Sequence, residues 1–296
     1  MNPASDRPAV IACAISGALA DRSQCPAIPY TPMEYAAEAR RIVDEGGVHI
    51  HIHARRPNGL PSHEVEDFQA IRDAIVAEIG DRAIINFSTG AVGVSVEQRV
   101  AYLEAARPEV AALNMGSLNY AKYSARRREF VFQFVFANPF EEIVELLRAM
   151  RRLGIKPEHE CFDLGHVASL TPLVDMGLIA APLHADFVMG VLGGVPASAG
   201  NLAAMAANMP TAGDPDHHWG VIGIGRSQWQ MVAAALTQGG SVRVGLEDNF
   251  YLPDGLMARS NGELVARARR LTEDCGRRVA TVEEARRMLG LSSPAL

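Results

Sequence analysis

Eight short runs rich in β-branched residues, each followed by a longer helical pattern, constrain this chain more than any other feature. The runs are VIACAISG from Val10, VHIHIHAR from Val48, AIINFSTG from Ala83, VAALNMGS from Val110, HECFDLGH from His159, LHADFVMG from Leu183, HWGVIGIG from His218 and SVRVGLED from Ser241. Helix starts punctuate the spaces between them. Thr31-Pro32-Met33-Glu34 reads as a capping box with proline at the first helical position, and its apolar pattern runs to Glu45 before Gly46 and Gly47. Ser95 with Gln98, Asn138 with Pro139 and Glu141, and Thr281 with Glu284 repeat the signal, while Gly154, Gly239 and Gly290 mark stops. Eight strand–helix units in 296 residues predict a (β/α)8 barrel. An open doubly wound sheet is the competing architecture, but the Gly-x-Gly-x-x-Gly that usually follows its first strand is absent. Asn119 to Ala137, with Arg126-Arg127-Arg128 ahead of FVFQFVFA, reads as an insertion between strands four and five. The last 36 residues read as a C-terminal helical extension, a helix pair packed outside the barrel. No linker divides the chain, so residues 1–296 are expected to form a single domain.

Hydrophobic residues make up 48% of the chain and charged residues 21%, enough apolar side chain for a large core. Against 34 Asp and Glu stand 28 Lys and Arg, a net charge of −6, which argues against nucleic acid as a partner. Cys13, Cys25, Cys161 and Cys275 are widely spaced and form no Cys-x-x-Cys pair, which fits a reducing, cytoplasmic setting. The first residues carry Asp6 and Asp21 and lack the basic start of a signal peptide. No run approaches the roughly 18 apolar residues of a membrane span.

The densest chemical signal lies on the second strand. His49, His51, His53 and Arg55 recur every second residue and so share one face, which in a barrel is the interior. At about 3.3 Å per residue His51 and His53 can converge on one metal ion, whereas His49 is too far from His53 to share it and reads as interior filling. Strand eight offers a third ligand, because Arg243, Gly245 and Glu247 share a face and Glu247 reaches a depth similar to His53. Barrel closure sets strand eight beside strand one, with strand two next to that. Ser88-Thr89-Gly90 after strand three suits a carboxylate, and Asn114-Met115-Gly116 and Gly223-Ile224-Gly225 let a ligand approach the backbone. Gly193 to Gly200, GGVPASAG, reads as an ordinary loop, with a lid or phosphate contact as the alternative.

With these residues in place, the chain resembles the β-keto acid cleavage enzyme family. The likeness is carried by ISGA at Ile15, IPYTPMEYAAEA at Ile28, HIHAR at His51, STGAVG at Ser88, LNMGSLN at Leu113, GIGR at Gly223 and GGSVRVGLEDN at Gly239, and it continues through SNGELVARA at Ser260 and VATVEEARRMLGL at Val279. The resemblance implies a TIM barrel in which His51, His53 and Glu247 bind Zn2+ or another divalent metal. It implies a Claisen-type exchange in which a β-keto acid and acetyl-CoA give acetoacetate and a new acyl-CoA. Asp248, oriented by Arg243, would be the base. The guanidinium would lower its pKa and leave the metal to supply most of the acidification. Ser88 and Gly90 would grip the substrate carboxylate, with Asn114 near the same wall. A homo-oligomer, with a tetramer favoured, is also implied.

The departures concern the substrate. Leu19 stands where the family's lysine-fermentation member has a glutamate, Ala112 replaces a pocket threonine, and Asp163 matches the glutamate of its fifth strand. These changes argue against an amino-bearing keto acid and for a less polar one. Arg56 stands where the family usually has an acid. Two other classes compete: an amidohydrolase-like metal-dependent hydrolase, which wants His-x-His on strand one and histidines ending strands five and six, and a non-catalytic metabolite-binding barrel. The Arg126 to Arg128 run reads as a solvated face.

Overall fold

The computed structural model describes residues 7–210 and 216–291. Each of the eight expected runs forms a strand. In chain order, β1 (Ile11–Ala14), β2 (His49–Ile52), β3 (Ile84–Ser88) and β4 (Val110–Asn114) precede an antiparallel hairpin, β5 (Leu118–Ser124) and β6 (Glu129–Phe136). β7 (Lys156–Cys161), β8 (His184–Met189), β9 (His218–Gly223) and β10 (Ser241–Val244) follow. Parallel pairing runs from β1 through β2, β3, β4, β7, β8, β9 and β10 back to β1, closing the sheet into a TIM barrel.

The helices are α1 (Pro32–Asp44), α2 (Val65–Ile79), α3 (Val96–Ala106), α4 (Phe140–Leu153), α5 (Leu164–Ala168), α6 (Leu170–Asp175), α7 (Ala199–Ala207), α8 (Gln228–Thr237), α9 (Asn261–Asp274) and α10 (Val282–Leu289). Capping boxes form at Thr31/Glu34, Ser95/Gln98 and Thr281/Glu284. Asn138 does not cap α4. Its backbone N–H donates to Ser117 Oγ and its amide to the Gly116 carbonyl, so it ties the hairpin's root to β4 instead. The main core lies between the outward faces of the strands and the helices, where Phe68 stacks on Tyr102 and meets the edge of Phe87.

Only half of the C-terminal pair packs as expected. α9 lies outside the barrel against α1, β1 and β10, whereas Ala285 and Leu289 of α10 cluster with Val10, Val48, Ile84 and Val110 at the amino ends of the strands. Those strand starts expose apolar side chains that α10 covers, so the helix closes the barrel floor. The Gly193 loop packs on the hairpin and the end of β7: a Cβ on Gly193 would lie 1.6 Å from the Asn119 carbonyl, and Val195 N–H donates to the Phe162 carbonyl. Arg126 to Arg128 are exposed at the hairpin turn. Among the described residues no helix is long and apolar enough to cross a membrane.

Register sets the tiers of the interior. Ala12 lies level with both His49 and Arg243, and Ala14 level with His51. Glu160 lies level with Asn114 and Asp186. Most barrels fill these tiers with branched apolar side chains. This one buries His49, His51, Asn86, Glu158, Glu160, His184, Asp186, His218 and Arg243.

Candidate active site

His51 and His53 rise from the carboxyl end of β2, and local contacts aim them. The Tyr35 hydroxyl (2.7 Å) and Ser16 Oγ (3.0 Å) both donate to the His53 carbonyl, tying the strand end to α1 and to the loop after β1. Beyond β10 the chain turns at Gly245, whose φ is +139° and whose Cβ, if present, would lie 2.2 Å from the Ala14 carbonyl; only glycine permits that approach. The turn lets Glu247 N–H donate to Ala14 and carries the Glu247 carboxylate over the two imidazoles. His51 Nε2 lies 3.7 Å from Glu247 Oε2, and His53 Nε2 lies 3.5 Å from Glu247 Oε1.

These donors fit a divalent cation. One ligand atom from each of His51, His53 and Glu247 falls within 4.8 Å of the others. Both ring nitrogens of His51 and Oε2 of Glu247 are buried without a hydrogen-bond partner in the protein, a costly arrangement for a core that held nothing between them. Burial, and then Arg243, hold the His51 ring well below the usual histidine range, so it is neutral, as ligation requires. Burial would raise Glu247, but His53, His51 and Arg243 outweigh it and keep the carboxylate ionised.

Arg243 organises the acids around this point. Its Nε and Nη2 donate to the two oxygens of Asp248 at 3.0 and 2.9 Å, Nη1 donates to Glu160 at 2.8 Å, and Nη2 also reaches Glu247 at 3.1 Å. The expected Arg243–Asp248 pairing is therefore present as a bidentate fork. Its effect on Asp248 differs from expectation: burial raises the carboxyl's pKa and outweighs the guanidinium, leaving Asp248 above the usual carboxylate range. Glu160, also raised by burial, shares the guanidinium and had no counterpart in the sequence reading. The period-two face of β7, Glu158 and Glu160, was the available signal.

A cavity of about 410 Å3 opens above these groups. Ser88, Gly90 and Asn114 line it, as do Leu19, His53, Arg243, Glu247 and Asp248. The remaining wall is largely apolar, with Ala18, Val92, Tyr120, Phe134, Phe136, Phe162, Val188 and Ile224. The hairpin thus supplies an aromatic side to the cavity, which its period-two Phe pattern in FVFQFVF makes possible. Two expected pocket residues are placed elsewhere. Asp163 caps α5 by accepting from His166 N–H at 2.9 Å, and the acid facing the cavity from that strand is Glu160. Ala112 is fully buried on the inward face of β4, two residues deeper than Asn114, where it does not line the cavity wall. His166, the histidine that ends the β7 run, accepts from Phe162 N–H rather than joining the donor set. Arg56 lies at the surface beside Glu64.

The model of the family described as "beta-keto acid cleavage enzyme" matches residues 8–291. A 3-keto-5-aminohexanoate cleavage enzyme of Fusobacterium nucleatum is 37% identical over 282 residues, covering 95% of this chain and 97% of that protein. A 3,5-dioxohexanoate:acetyl-CoA acetone transferase of Paraburkholderia graminis is 34% identical, covering 99% and 98%. Among solved structures, the apo structure of ObcA superposes with a TM-score of 0.76 at 21% identity, over 90% of this chain and 66% of that one, a likeness of fold. Full-length identity at this level, joined to the geometry above, places the chain in the β-keto acid cleavage enzyme family.

Proposed function

We propose that this chain exchanges acyl groups between a β-keto acid and acetyl-CoA, giving acetoacetate and a new acyl-CoA. One observation carries the reading: two imidazoles and a carboxylate converge beside an aspartate that is clamped by arginine, at the floor of a cavity large enough for a keto acid and a thioester end. His51, His53 and Glu247 would hold a divalent ion, and zinc suits this donor set with its open position. When bound, that ion supplies Lewis acidity to the keto acid's oxygens.

The chain's own groups do the rest. Ser88 Oγ, held by the Gly90 N–H that donates to it at 3.1 Å, and the Asn114 amide would meet the substrate carboxylate. Asp248 takes a proton from the carbon between ketone and carboxylate. Its raised pKa makes it a better base than a free aspartate, and Arg243 holds its oxygens in place. The carbanion attacks the thioester carbonyl and expels the CoA thiolate. The thiolate attacks the original ketone, the bond from that carbon to the former carbanion carbon breaks, and the acetoacetate carbanion recovers the proton from Asp248. Arg243 already makes four hydrogen bonds to acids of the chain, and the wall around Leu19 and Val92 is apolar, which favours a keto acid with an uncharged side chain. Acetyl-CoA as partner and four free thiols suit a cytoplasmic location. Exposed Phe130, Val131 and Val135 on β6 suit assembly of copies into a homo-oligomer.

The test is to incubate purified, metal-analysed protein with acetyl-CoA and a panel of β-keto acids and to detect acetoacetate and the matching acyl-CoA by mass. Products that require acetyl-CoA support the reading. Turnover without CoA would indicate a hydrolase, and no product across the panel would reject the exchange.

A further inference from the structure

Beneath the donor set described above lies a second group that the proposed reaction does not use. His49 on β2, Glu158 on β7 and His184 on β8 meet inside the barrel, each at most 2% exposed. His49 Nε2 lies 3.5 Å from Glu158 Oε2, and His184 Nε2 lies 3.8 Å from the same oxygen and 3.2 Å from Asp186 Oδ2. Ligand atoms held about 2.0–2.1 Å from one zinc ion at tetrahedral angles sit about 3.3–3.4 Å apart, so the two spacings to Glu158 lie slightly wider than a coordination shell and would draw in around an ion. They also match the 3.5 and 3.7 Å found between the donors of the upper set.

Three further observations point the same way. His49 Nε2 is buried and has no hydrogen-bond partner in the protein, and it faces the Glu158 carboxylate. The Asn86 amide donates to the same Glu158 Oε2 at 2.6 Å, a contact that fixes the orientation of the carboxylate. A Cβ on Gly220 would lie 2.1 Å from Asp186 Oδ1, so the absence of a side chain on β9 makes the space Asp186 occupies.

Charge adds an independent argument. Glu158, Glu160, Asp186, Glu247 and Asp248 crowd one interior, and Arg243 is the guanidinium in salt-bridge contact with this group. Lys156, on the same strand face, spends its ammonium on the carbonyls of Ala180 and Pro182 at the barrel floor. Burial raises the carboxyls of Glu158, Glu160, Asp186 and Asp248, as expected of acids with too little counter-charge around them, and a cation among them would supply that charge. Burial keeps the His184 ring neutral and thus able to ligate.

We propose that the barrel interior binds a second divalent cation, ligated by His49, Glu158 and His184 with Asp186 beside them, in a structural site below the catalytic one. Enclosure by protein on every side means that this ion enters as the chain folds and leaves slowly, while the upper ion exchanges through the cavity. The site stabilises the floor of the active site without touching substrate.

The experiment counts ions, so its result does not depend on turnover. Protein expressed with added zinc is analysed for metal per chain, and its crystals are measured at the zinc absorption edge. The expected result is two zinc ions per chain and two anomalous peaks, one between His51, His53 and Glu247 and one between His49, Glu158 and His184. His184→Gln should lose the lower peak and keep the upper, His51→Ala the reverse, and chelator should strip the upper ion at least 10-fold faster. If His184→Gln fails to fold, Glu158→Gln reads the same loss with its shape and its Asn86 contact conserved, and the wild-type map needs neither variant. A single ion per chain with no density at the lower position, or two ions retained in a folded lower-site variant, overturns the proposal. The acids would then be held by protonation and hydrogen bonding alone.

Discussion

Replacing Asp248 with asparagine separates the base from the metal donors and the scaffold around them. Asparagine keeps the shape of the side chain, and its carbonyl oxygen can still accept from Arg243 Nη2, 2.9 Å away in the parent. Its amide nitrogen then faces Arg243 Nε, where the parent has a 3.0 Å charge-assisted bond. Losing one such bond costs about 1.5–3 kcal/mol of stability. At about 2–4 °C per kcal/mol for a chain of this size class, the melting temperature should fall by roughly 3–12 °C and the protein should remain folded. The Glu247 carboxylate and both imidazoles are untouched, so bound metal should stay within experimental error of the parent. Turnover is a different matter, because an amide cannot take a proton from carbon. Loss of a positioned general base lowers rate by about 10²–10⁴-fold, or about 2.7–5.5 kcal/mol of barrier. The assay follows acetyl-CoA-dependent acetoacetate formation at saturating substrates, alongside metal analysis and a thermal melt. Turnover within about fivefold of the parent in a folded, metal-loaded variant would refute Asp248 as the base.

Other outcomes follow from the same geometry. His51→Ala should lose the upper metal ion and turnover together, and metal analysis showing the upper ion retained would contradict the ligand assignment. Leu19→Glu adds a carboxylate to an apolar wall of the cavity and should shift preference, read as kcat/KM ratios, at least 10-fold from keto acids with uncharged side chains toward those bearing an ammonium group; an unchanged ratio would remove Leu19 from the substrate wall. Phe68→Ala deletes a ring stacked 3.9 Å from Tyr102 in the core between α2 and α3 and should cost about 3–5 kcal/mol, measured by chemical denaturation. Burial would raise the Glu34 carboxyl, but hydrogen bonds from Arg22 and from the Tyr30 and Thr31 backbone pull it down to about 2 from an ordinary 4.5. A depressed folded-state pKa stabilises above the unfolded value and fades as pH falls through the folded one. Glu34→Gln should therefore cost at most about 1 kcal/mol at pH 7, given the side chain's exposure, and this gap should close between pH 4.5 and 2 in melts taken across that range.

Much of this protein is written in local pattern. Strand runs, capping boxes and the period-two placement of His49 and His51 depend on neighbours within a few residues, whereas Glu247, expected to share a strand face with Arg243, lies beyond the end of β10 and is placed by the turn at Gly245. The eight strand–helix units favoured a barrel, but the pattern of elements left an open doubly wound sheet standing, since both bury the two faces of a parallel sheet; the pairing of β1 with β10 is what closes it. What the order of residues does not contain is which distant groups meet. Asp163 and Glu160 lie three residues apart, yet one caps α5 and the other faces Arg243 from 83 residues away in the chain, a choice made by where β7 ends and the helix begins. Asn138 has the look of a helix cap and is used instead to hold the hairpin's root. The sign of the Asp248 shift likewise belongs to the folded state. Sequence reveals its cationic neighbour, but the degree to which the barrel excludes water, the larger effect, exists only once eight strands and the hairpin have closed around it.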